Sequence, residues 1–99
     1  VEELIIELSK YFNFKDKNNV YKITNDVTFN EAKLLKLNCD KALFHLKWKA
    51  NLNYKDTVKF TSEWYYDFYK SDKKILGKTL QQILDFEKIA KEKALKWTE

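Results

Sequence analysis

The chain has 99 residues, a formal net charge of +4 at pH 7, a 44% apolar fraction and 16% aromatic residues. That length holds one domain or part of a larger one, and the apolar and aromatic content excludes disorder over most of it. The single cysteine, Cys39, excludes an internal disulfide and a C-x-x-C metal or redox motif, and no apolar run approaches the ~20 residues that span a bilayer.

Val1 to Phe12 opens the chain as an amphipathic helix, with Val1, Leu4, Ile5, Leu8 and Phe12 on one face. The helical pattern begins at once on Val1. The chain is therefore expected to be a piece of a longer, cytoplasmic protein, with the lone thiol in a reducing compartment. Asn13 to Asn19 is a polar connection. Val20 to Thr24 alternates apolar and polar residues and predicts a short strand. Asn25 to Asn30 is a loop, and Leu34 to Leu37 is a second extended candidate.

Asn38 can cap a helix that starts with Asp40 in its first turn, runs to about Leu46 and buries Ala42, Leu43 and Leu46. After a connection, Asn53 caps another helix, with Asp56 in capping-box position and Val58, Thr61, Trp64, Tyr65 and Phe68 on the buried face. Ser71 to Lys78 is a polar stretch around the only glycine, Gly77. Thr79 and Gln82 then read as a T-x-x-Q box that opens a last helix, lined by Leu80, Ile83, Leu84 and Ile89. Beyond Phe86 the chain continues as a lysine-rich helical tail. The predicted fold is mainly α with two short strands, an α+β arrangement. Two strands do not make a stable sheet alone, so they would join a larger one or sit under helices.

All 19 basic residues are lysines spread over every segment, which marks them mainly as solvated helix faces. His45, the only histidine, has no cysteine or serine at catalytic spacing. One glycine excludes a G-x-G-x-x-G dinucleotide turn and a P-loop. Tyr66 and Tyr69 are the more exposed of the crowded aromatics between Trp64 and Tyr69, and could stack a base. Glu31, Lys33 and Lys36 flank the second extended candidate; a carboxylate there suits ribose hydroxyls and an ammonium suits a diphosphate.

The run E-A-K-L-L-K-L-N-C-D-K-A-L-F-H-L-K-W, from Glu31 to Trp48, resembles the pattern H-E-A-x-x-L-K-L-D-x-S-K-A-x-x-x-L-G-W of CDP-glucose 4,6-dehydratases. These are extended short-chain dehydrogenase/reductases of the nucleotide-sugar epimerase/dehydratase kind. L-N-Y-K-D-T-V-K-F-T-S-E-W-Y is similar to the family's L-x-x-x-L-x-x-T-x-x-W-Y, T-L-Q-Q-I-L-D-F to its T-x-x-Q-I-x-x-Y, and V-E-E-L-I-I-E-L to its V-x-E-L helix. The likeness runs from Val1 to Phe86, so residues 1–86 are expected to be a C-terminal, substrate-side portion and 87–99 an added tail. The sequence departs from the family at Asn30 for histidine, Asn38 for aspartate, Asp40 for serine and Lys47 for glycine; that last loss is expected to do no more than tighten a turn.

The resemblance implies a lyase. The intact protein would use NAD to turn a CDP-sugar into a 4-keto-6-deoxy sugar, and a homodimer is the partner arrangement the resemblance allows for it. It also implies that Glu31 contacts the substrate ribose. The family's basic residue three positions earlier falls on Thr28, so Lys33 or Lys36 would supply the charge, and Asn30 would alter a substrate contact. The glycine-rich cofactor turn and the catalytic Tyr-x-x-x-Lys pair belong to a Rossmann half and are not here in that context. Tyr11 with Lys15 and Tyr66 with Lys70 are set aside as one residue off that spacing. The fragment is expected to bind no cofactor and to catalyse nothing alone, with nucleic acid and membrane not among its partners. The alternative from the residues themselves is a small basic helical module that binds nucleic acid or self-assembles.

Overall fold

The computed structural model describes residues 1–14, 16–24, 36–70 and 75–99. Four helices dominate: α1 (Glu2–Ser9), α2 (Asp40–Leu46), α3 (Tyr54–Lys70) and α4 (Ile75–Glu92). Single 3-10 turns stand at Lys10–Phe12, Lys17–Asn19 and Lys96–Thr98. The mainly helical expectation holds.

Helix α3 is the centre. It packs against α4 on one side and against α1 and the Lys10–Phe12 turn on another. Asn53 starts it as the spacing predicts, its Oδ1 accepting the Asp56 N–H at 2.8 Å. Val58 and Ser62 are its buried residues. Thr61, expected on the buried face, is exposed. The buried arc turns toward Ser62 because α3 has neighbours on two sides and only small groups fit where helices approach closely.

The T-x-x-Q box is not a helix start. Helix α4 begins at Ile75, four residues before Thr79, and carries Gly77 in its interior. Thr79 Oγ1 donates to the Ile75 carbonyl at 3.0 Å and accepts from Trp64 Nε1 at 2.8 Å. Gln82 Nε2 donates to the Phe60 carbonyl at 2.7 Å. Both side chains tie α4 to α3. Lys78 adds an ion pair to Glu63 at 2.8 Å. Leu80, Ile83 and Leu84 are exposed rather than buried, while Ala90 is fully buried. Helix α4 runs through Phe86 and Glu87 without a break.

No strand occurs among the described residues. Val20 to Thr24 is irregular, and among the described residues no strand lies beside it to complete a ladder. Tyr21 instead donates its hydroxyl to the Glu2 carboxylate of α1. Of the second candidate, Leu34 and Leu35 lie outside the described residues, and Lys36 and Leu37 are irregular.

Asn38 does act at the start of α2, accepting the Asp40 N–H on Oδ1 at 2.6 Å. The buried face expected of α2 is not formed: Leu43 is 41% exposed and Leu46 76%. Among the described residues the buried apolar ones are Val58 and Ala90. The molecule measures 50 × 39 × 19 Å, with a radius of gyration of 17.5 Å. A compact chain of this length has a radius near 13 Å.

Candidate functional site

Asn30, Glu31 and Lys33 lie outside the described residues. Lys36 is exposed in the irregular run that leads into α2, and Leu37 beside it is 85% exposed. The described part of the expected pocket edge is thus an open approach to the start of α2. His45 is exposed, its ring edge-on to Phe44 at 5.1 Å. Cys39 is exposed, and no group of His, Cys, Asp or Glu able to hold a metal occurs among the described residues.

The aromatics of α3 divide by neighbour. Tyr66 is half-buried, its ring edge-on to Phe12 at 5.9 Å, so it is a packing residue rather than a free stacking face. Tyr69 is 66% exposed and stacks on Tyr65 at 6.2 Å. Trp64 stacks on Phe68 at 5.4 Å. The two i, i+4 stacks leave Tyr65, Phe68 and Tyr69 about half in solvent.

Tyr66 and Lys70, like Tyr11 and Lys15, do have the Tyr-x-x-x-Lys spacing, so spacing does not exclude a pair. Tyr66 packs edge-on against Phe12, and Lys70 is the exposed last residue of α3; Lys15 lies outside the described residues. The only glycine sits inside α4.

A cavity of about 560 Å³ opens between α1 and Val20–Ile23. Its polar groups are partly spent: Tyr21 donates to Glu2, which also lines it, and Lys10 pairs with Glu7 outside it. The Glu2 carboxylate, by accepting the hydroxyl, raises the Tyr21 pKa above its ordinary 10.0, with smaller contributions from desolvation and the Glu2 charge.

At the opposite end, two adjoining cavities of about 370 and 220 Å³ share Lys47, Lys49, Leu95 and Lys96. Trp48 and Trp97 line the smaller one, and Lys93 lines the larger. The sequence reading missed this cleft. The signal was the tripeptide Leu-Lys-Trp, present at Leu46–Trp48 and again at Leu95–Trp97.

No family model, curated protein or solved structure matches the chain.

Proposed function

We propose that this chain is the substrate-side helical layer of a CDP-glucose 4,6-dehydratase-like protein, and that it supplies one wall of a nucleotide-sugar pocket without catalysing alone. The observation that carries this reading is how the quoted motif blocks meet. The Trp of T-S-E-W-Y donates to the Thr of T-L-Q-Q-I, and the Gln of that second block donates to Phe60 beside the first. Asn51, 95% buried by exposure of 5%, donates to the carbonyl of Phe86, which closes the last block. Residues that resemble a family pattern at a distance in sequence thus serve one another in space.

The uncovered apolar surface supports the same reading. A helical layer with two buried apolar residues needs a second layer to complete its core. Glu31 would accept hydrogen bonds from ribose hydroxyls, and Lys36 would offer its ammonium to the diphosphate. Any nicotinamide cofactor would be held by another half, so no hydride step belongs to these residues.

The test is calorimetric titration of CDP-glucose into the chain joined to a cofactor half of such a dehydratase. Glu31→Ala is expected to weaken binding by roughly tenfold, the worth of about one charged hydrogen bond. Unchanged affinity would remove the role given to Glu31, and no binding at all would sink the reading. Self-assembly is the second reading, favoured by the exposed Tyr65, Phe68 and Tyr69.

A further inference from the structure

The two Leu-Lys-Trp tripeptides lie far apart in sequence and in different surroundings. The first ends α2, where Lys47 takes the left-handed conformation at φ 55° and turns the chain. The second follows α4, where Ala94 does the same at φ 50°. These two turns bring both tripeptides to the same cavity.

Lys47, Lys49, Lys93 and Lys96 line the joined cleft, and no carboxylate does. Lys47 Nζ lies 5.4 Å from the centre of the Phe44 ring, and Lys93 donates to the Asn51 carbonyl. Among the described residues none of the four forms an ion pair. Four positive charges around one cleft repel each other unless an anion joins them.

The tryptophans supply the other half of the chemistry. Trp48 is 45% exposed and Trp97 54%. Trp97 has one face stacked on Phe86 at 6.0 Å, which holds the indole in place. Flat aromatic faces beside ammonium groups are the combination that holds a base and its phosphate.

We propose that this cleft binds a phosphate-bearing ligand with an aromatic base, either a free nucleotide or a nucleotide of a single strand. The phosphate sits among Lys47, Lys49 and Lys96, and the base stacks on Trp48 or Trp97. This does not rest on the nucleotide-sugar reading, whose contacts are Glu31 and Lys36.

Tryptophan fluorescence of the full chain, titrated with ADP and separately with a ten-residue oligothymidylate, tests it. Saturable quenching is expected. Lys49→Glu/Lys96→Glu should weaken it at least roughly tenfold, whereas Lys55→Glu/Lys59→Glu on α3, an equal charge change, should leave it in place. Trp97→Leu should weaken ADP more than inorganic phosphate. Retained helical circular dichroism shows that each variant is folded. If the oligonucleotide binds more tightly than ADP, with a log–log salt slope of roughly −2 for three phosphate contacts, the ligand is a strand. Affinity no better than that for ADP makes it a free nucleotide. Absence of saturable quenching by either probe overturns the proposal. So do equal losses in the two lysine pairs, which mean bulk charge, and phosphate binding as tight as ADP, which means no base.

Discussion

Among the described residues, three other than glycine hold a left-handed backbone: Asn13, Lys47 and Ala94. Asparagine tolerates that region, but lysine and alanine are strained there by about 1 kcal/mol. At Ala94 the turn is a full Schellman arrangement, with Leu95 N–H on the Ala90 carbonyl at 3.1 Å and Ala94 N–H on that of Lys91 at 2.9 Å. Ala94→Gly is therefore expected to raise stability by about 0.5–1 kcal/mol, read as a higher midpoint in thermal unfolding. Gly77 is the mirror case. It lies inside α4, and an added methyl meets no atom within 4 Å. Gly77→Ala should stabilise by about 0.8–1 kcal/mol, because only the helix-interior penalty of glycine is removed. A loss of stability would show that the methyl meets a neighbour.

Tyr21 gives a pH dependence. Its folded pKa lies above the unfolded one, so its contribution is full below pH 10.0 and is lost as pH rises through the folded value. Chemical-denaturation midpoints above pH 10 should fall more steeply for the native chain than for Tyr21→Phe. Parallel curves would mean that the Glu2 bond does not persist in solution.

At the scale of elements, periodicity made the helices legible, and Asn53 and Asn38 were legible as polar starts. Thr79 and Gln82 were read as a start because a cap and an interhelix tie ask for the same residue types, short hydroxyls and amides that reach a backbone group. Only the partner distinguishes them, and Trp64 lies 15 residues away. Thr79→Val keeps the shape and removes the acceptor. It should cost about 1–2 kcal/mol, since the half-buried indole N–H is left without a partner, while Thr79→Ser should cost less. Equal melting temperatures for native and Thr79→Val would show that water replaces the hydroxyl. Asn53→Ala should cost about 1 kcal/mol through loss of the Asp56 N–H acceptor. Lys47 adopts the left-handed backbone, and its N–H and that of Trp48 turn back to the Ala42 carbonyl.

At the scale of the molecule, the chain exposes 9455 Å², where a compact folded protein of 12.0 kDa exposes about 6,000 Å². Leu37, Phe44 and Leu46 around α2, and Leu76, Leu80 and Leu84 on α4, are each more than half exposed. The second group forms one stripe beside the α3-facing side, so α4 has apolar surface for a second helix, and among the described residues α3 is the helix it packs against. Such a surface should bind an apolar fluorescent dye at neutral pH without denaturant, and should lose that binding when a covering layer is joined to it. Failure to bind the dye, together with a clean monomer in sedimentation at high concentration, would show that the surface is covered from within. No helix among the described residues is long and apolar enough to cross a membrane.

The sequence by itself determined the helical character, the polar helix starts and the motif order that carries the nucleotide-sugar reading, because periodicity and capping act within a few residues. It did not determine which apolar faces are buried, since burial depends on neighbours that the pattern does not name. The tertiary structure alone turned Thr79 and Gln82 into ties, left Val20 to Thr24 without a sheet, and brought two distant Leu-Lys-Trp tripeptides to one cleft. Each of these depends on contacts between segments far apart in the chain, which local chemistry permits but does not choose.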